Sequence, residues 1–243
     1  MKDIYAIDAL EMLERYETIA NRLHPRIQSF LTFLNKTYSV RSLPRCIIWT
    51  DKETATHWIS DIPIPAYTND FRTVFCPELE IWRELYLQQL PEPEESELRR
   101  YYETELTENH LLQILGHEYV HHSDLFLDAV YEQSSWFEEG MCEYISRRFF
   151  LTEAEFERAA LVQQRLVTRW EEKHGKQPME SFDASTYRNS YGAIFYEYWR
   201  SFLAVNALVD KTSGNVWAVF RKYHDWYQND CPVPLVNWFQ KEK

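Results

Sequence analysis

Glycine is scarce: the chain has five in 243 residues. A β-sandwich or barrel uses many tight turns, often built on glycine, so the shortage disfavours those folds and favours helices. A basic patch is missing too. The formal charge is −12, and without a Lys/Arg cluster to meet phosphates the chain is not expected to bind nucleic acid. No apolar run approaches the roughly 20 residues that span a bilayer, so no membrane association is expected. The opening MKDIYAIDALEMLERYE carries acids throughout, unlike a secretory signal. Cys46, Cys76, Cys142 and Cys231 are scattered, with no CxxC pair. Such thiols are expected to be reduced, which suits a cytoplasmic protein.

What is present is helical periodicity around a short β-type stretch. Leu10, Leu13, Tyr16, Ile19, Ala20 and Leu23 recur at helical spacing within residues 3–35, with an interruption expected near Pro25. RCIIWT (45–50) reads as a strand, IPIP (62–65) as extended chain, and AYTNDFRTVFCP (66–77) as a strand or hairpin ended by Pro77. A helix is expected over 78–90, closed by the acidic linker PEPEESE. Thr107 is a plausible N-cap for a helix running to about 130. Further helices are expected over 136–150, 153–173, 188–209, 214–227 and 233–241, with a loop over 174–186. The expected fold is therefore α+β and predominantly helical. Residues 1–43 form a helical N-terminal segment, and 44–243 form one compact domain, β-containing over 44–77 and helical over 78–243.

The stretch LGHEYVHHSD (115–124) carries the chemistry. Residues four apart on a helix stack one turn above the other, so His117 and His121 can aim ring nitrogens at one ion about 2.0–2.1 Å away. Glu118 lies on the same broad face, placed to take a proton from water held at that ion. The bland alternative is a pair of packed or solvated histidines, since a motif this short also arises by chance. Its setting in an apolar helix favours the metal, because two imidazoles and a carboxylate are costly to bury without partners. His122 points away from the metal, and His110 is given no role.

Two histidines leave a tetrahedral zinc ion one protein ligand short. The continuation HxxGxxH is absent, with Asp124 and Leu127 at its positions. The next candidate is WFEEGMCEY (136–144), and here the sequence resembles the gluzincin branch of zinc metallopeptidases, the thermolysin-like and aminopeptidase-like enzymes. The resemblance implies that Glu139, just before Gly140, is the third ligand. A helical wheel instead puts Glu138 on the arc of Met141, Cys142, Ile145 and Phe149, so both carboxylates stay open. An inward Glu139 brings Glu143 to the same face, where it could accept the other N–H of a ligand imidazole. YRNSYGAIFYEYWRSFL (187–203) is similar to the tyrosine-bearing helix of the aminopeptidase-type members. That likeness implies a phenol from Tyr187, with Tyr191 as runner-up, donating to an oxyanion.

What the resemblance implies is zinc-dependent hydrolysis of a peptide or protein substrate, with Glu118 as general base for a metal-activated water. A strand within 66–75 could take up an extended peptide along its edge. Asn69 reads more readily as a turn residue than as a substrate contact. The stretch that grips a free amino terminus in the aminopeptidases has no counterpart in AYTND or TVFCPE, so endopeptidase action is preferred. The rivals are a catalytically silent zincin-fold interaction module and a helical regulatory protein with a structural zinc.

Overall fold

In the computed structural model, residues 1–40, 42–90 and 96–241 are described. Four strands and nine α-helices appear among them: β1 (Lys2–Ala6), α1 (Leu10–Tyr38), β2 (Cys46–Thr50), β3 (Ala66–Thr68), β4 (Arg72–Phe75), α2 (Leu79–Leu87), α3 (Ser96–Arg100), α4 (Glu108–Val120), α5 (Tyr131–Phe150), α6 (Glu153–His174), α7 (Tyr191–Lys211), α8 (Val216–Gln228) and α9 (Leu235–Gln240). A small N-terminal sheet followed by helices is the predominantly helical α+β arrangement expected. None of these helices is long and apolar enough to cross a membrane. The chain divides into two compact units, residues 1–124 with 145–156, and 125–144 with 157–243.

In the first unit the sheet order is β1-β2-β4-β3. β1 and β4 run parallel to β2, and β3 runs antiparallel to β4 at an edge. β1 departs from expectation, since residues 3–6 had been read as helix. Its five residues gain their hydrogen bonds from β2, more than 40 positions away, a partner that local periodicity cannot reveal. The first 43 residues thus supply both a strand and a helix. Pro25 does not interrupt α1, which runs unbroken for 29 residues. Leu23, Ile27, Phe30 and Leu34 are buried on both sides of the proline, and that packing holds the helix through the lost backbone hydrogen bond.

Two further expectations are corrected here. α4 ends at Val120 rather than near 130. Ser123 Oγ donates to Tyr38 O at 2.6 Å, and Asp124 N–H donates to Ser39 O at 2.7 Å, so the chain is captured by the end of α1. The 174–186 loop contains a 3₁₀ turn at Met179–Ser181, and a second spans Ala184–Arg188. α7 accordingly starts at Tyr191, leaving Tyr187 on the preceding turn. Of the linker PEPEESE, residues 91–95 lie outside the described residues, while Ser96 and Glu97 begin α3.

Close helix approach needs glycine at two places. In the first unit a Cβ on Gly116 of α4 would stand 2.6 Å from the Phe150 ring and 3.0 Å from Phe30. Phe30 packs on Phe149 and Phe150 with ring centroids 4.9 and 4.7 Å apart, so this aromatic cluster seats α4 at its glycine. In the second unit a Cβ on Gly140 of α5 would collide with the backbone oxygen of Ser201 on α7 and sit 2.7 Å from Val205. Backbone cannot move aside as a side chain can. Gly140→Ala is therefore expected to lower unfolding stability by about 1–3 kcal/mol, through a forced shift of α5 on α7. Denaturant titration measures this, and an unchanged midpoint would contradict the close approach.

Candidate functional site

α4 is buried along nearly its whole length, from His110 through Val120. Its start is fixed by Thr107, whose side chain accepts from Asn109 N–H, while Thr107 N–H donates to His110 Nδ1 at 3.0 Å. His110, given no role from sequence, thus closes a capping box at the head of the helix. Glu155 ties down the same corner, accepting from Thr107 Oγ1 and from Asn109 Nδ2. Burial holds the His110 imidazole well below its ordinary pKa, at about 4.

One turn from the far end, His117 and His121 converge. Their Nε2 atoms lie 3.1 Å apart, with ring centroids 4.9 Å apart and planes at 70°. Two ligands on one tetrahedral zinc ion, each at about 2.0–2.1 Å, stand roughly 3.3–3.4 Å apart. The observed spacing is a few tenths of an ångström short of that, and it also fits an N–H···N hydrogen bond between neutral rings. The spacing by itself does not separate the two. His121 itself is the C-cap residue, a consequence of the early helix end, yet its backbone stays right-handed helical. The i, i+4 relation thus survives. Glu118 follows His117 and is 8% exposed, a carboxylate set in the same buried stretch.

His122 is the surprise just past this helix. Its Nε2 shares a hydrogen bond of 2.9 Å with Thr68 Oγ1 on the edge strand β3, and Thr68 in turn lies 3.0 Å from Thr73 Oγ1. The residue expected to face away from the metal thus ties the end of α4 to the sheet. Burial first, and then the neighbouring His121, depress its pKa to about 4. Asn69 is a turn residue, accepting through Oδ1 from the Phe71 and Arg72 N–H groups.

In the second unit α5 carries Glu138, Glu139, Cys142 and Glu143, all buried. The two adjacent glutamates have different surroundings. Glu139 Oε1 accepts from the Tyr187 hydroxyl at 3.4 Å. The charge of Glu138 instead bears on Tyr223 of α8, whose phenol burial pushes up to about 12. Glu143 lies one turn beyond Glu139, on the same face of α5. Cys142 is fully buried and forms no disulfide, and its thiol is a soft donor type that the sequence reading had treated as packing.

Tyr187 is set by its own short turn. Asp183 caps that turn in a capping box with Thr186, accepting from Ser185 N–H at 2.7 Å. The segment before it is fastened by Arg200, whose guanidinium donates to Gln177 O, Pro178 O and Ser181 Oγ at 2.6–2.9 Å. Arg200 also donates to Glu197 at 2.6 Å, a buried ion pair on α7. The Tyr187 hydroxyl lies 2.7 Å from that of Tyr198. Sequence reasoning missed Tyr198. It is one of 16 tyrosines, and no spacing relates it to Tyr187 before the turn is known. Tyr191 opens α7 and stacks on Phe195 with centroids 6.3 Å apart.

No family model, curated protein or solved structure matches the chain. The histidine cap supplies the test of this helix. His110 has a folded pKa below its ordinary value, so protonation favours the unfolded chain. Its contribution is intact above about pH 6.5 and is lost as pH falls toward 4, by roughly 2–3 kcal/mol. Unfolding titrations of wild type and His110→Gln over pH 4–7 should show a shallower loss in the variant. Equal slopes would remove His110 from the cap.

Proposed function

We propose that the chain is a gluzincin-type zinc metallopeptidase, with His117 and His121 as two ligands and Glu139 as the third. The observation that carries the reading is the 3.1 Å approach of two buried or half-buried imidazole nitrogens beside a buried Glu118. The donor set also fits: imidazole and carboxylate suit zinc, and three protein ligands leave a position open for water or substrate. When bound, zinc supplies a Lewis acid that polarises the substrate carbonyl and acidifies water.

The protein groups do the rest. Glu118 takes the proton of the attacking water and delivers it to the amine nitrogen as the C–N bond breaks. The Tyr187 hydroxyl donates to the carbonyl oxygen as that oxygen gains charge, and Tyr198 orients the phenol. Glu143 supports a ligand imidazole through its second N–H. The outer edge of β3 supplies main-chain groups for an extended peptide, with α4 joined to that strand through His122 and Thr68. Endopeptidase action is preferred, and the four free cysteines suit a cytoplasmic setting.

Cys142 favours a second reading. A fully buried thiol on α5 is a good third donor for a structural zinc joined to the two histidines, as in an interaction module or regulatory protein without turnover.

Metal analysis of protein purified without added metal is expected to give about one zinc per chain. Glu118→Gln should keep that zinc while slowing cleavage of any peptide the wild type cuts by about 10²–10⁴-fold. Weakened zinc binding on Glu139→Ala but not Cys142→Ser supports the peptidase, and the reverse supports the structural site. Protein that never takes up zinc, or full cleavage by Glu118→Gln, would refute the peptidase reading.

A further inference from the structure

A cavity of about 230 Å³ opens in the first unit between α1, the β1 edge of the sheet, and α4. His24 and Ile27 of α1 form one wall, Asp3, Ile47 and Trp49 of the sheet the other, and Tyr119 closes the inner end. Sites for drug-sized ligands run to about 300–1,000 Å³, so this one suits a smaller molecule. Its chemistry is asymmetric. Asp3 Oδ1 accepts from Trp49 Nε1 at 2.7 Å and meets His24 Nε2 at 3.0 Å. A carboxylate has about four acceptor positions, so two contacts on one oxygen leave capacity on the other. Ile27 and Ile47 are each 2% exposed and give the apolar walls.

Tyr119 is the second observation. Its side chain is fully buried, and its hydroxyl donates to the Met1 thioether sulfur at 3.5 Å. Sulfur of that kind is a weak acceptor, whereas a buried phenol normally finds an oxygen or nitrogen. Met1 is 48% exposed and half in solvent. A ligand carbonyl reaching the inner end would give the phenol a stronger acceptor and displace a loosely held side chain.

We propose that this cavity binds a small primary amine carrying a neutral carbonyl acceptor and a short branched apolar side chain. The ammonium meets Asp3, the carbonyl accepts from Tyr119, and the apolar group packs between Ile27 and Ile47. Anions are disfavoured by Asp3 and by the chain's charge of −12. Divalent metal ions are disfavoured because they take six or more oxygens, or several nitrogens and thiolates. The site uses neither His117 nor His121, and so is independent of the zinc reading. Tyr119 follows Glu118 directly, so occupancy bears on the helix that carries the motif.

The test is calorimetry on the full chain with leucinamide, with 4-methylpentanamide, which lacks the amine, and with free leucine, which puts a carboxylate in place of the neutral carbonyl in a cavity that already holds Asp3. Leucinamide is expected to bind with Kd near or below about 1 mM, and each comparison compound at least about tenfold more weakly. Chelator-treated protein should bind leucinamide equally, which separates this site from any zinc site. Asp3→Asn, which retains an acceptor for Trp49, should weaken leucinamide about tenfold or more. Gln28→Trp, at the exposed rim of the cavity, should block it without disturbing the core. No leucinamide binding at about 10 mM, equal binding of the three compounds, or an unaffected Asp3→Asn of wild-type stability would each overturn the proposal.

Discussion

The constraint on which everything else hangs is that α4 is buried nearly all round while carrying polar groups. A helix enclosed in this way is ordinarily apolar on every face, because desolvated imidazole and carboxylate are tolerated only with partners. This helix holds His110, Gln113, His117 and Glu118 within its buried run. His110 is explained by the cap it closes, and His122, just past the helix, by its bond to Thr68. His117 and Glu118 lie in the same buried run, where the Nε2 atom of His121 comes within 3.1 Å of that of His117. The helix can sit so deep because Gly116 lets it lie on the Phe30–Phe150 cluster.

How much of this the sequence reveals depends on the range of the interaction concerned. Helical periodicity and the Thr107 cap are local, and α2, α6, α8 and α9 fall close to where their patterns put them. β1 was hidden because its partner strand lies more than 40 residues away. The end of α4 was hidden for the same reason: Tyr38 and Ser39 stop it through contacts 85 positions distant. At the site, His117, Glu118 and His121 are legible because i, i+4 geometry is intrinsic to a helix. Tyr198 is not legible, since its pairing with Tyr187 requires a 3₁₀ turn set by Asp183 and by Arg200.

α5 shows how a signature can have two origins. The resemblance rests on Glu139 followed by glycine, and in the structure that glycine has a mechanical reason to be there. Any side chain at 140 would strike the Ser201 carbonyl on α7. The glycine therefore argues for close helix packing and says little about metal. Glu139 receives the Tyr187 hydroxyl, whereas the charge of Glu138 helps to raise the pKa of the buried Tyr223 phenol. The helical wheel could not separate them because it ranks apolar arcs, and both glutamates are buried.

The imidazole pair also bears on how metal binding and folding would be linked. With Nε2 atoms 3.1 Å apart, one ring can donate to the other only while a single proton lies between them. Two Nε2–H groups aimed at each other would repel, so one ring of the pair carries its proton on Nδ1. A bound zinc ion would need the lone pair of each Nε2, so the donating ring would carry its proton on Nδ1 instead. Little rearrangement of α4 is then needed to bind, because the cap at Thr107 and the stop at Ser123 hold the helix from both ends. Preorganisation of this kind would let an ion bind without folding being coupled to it.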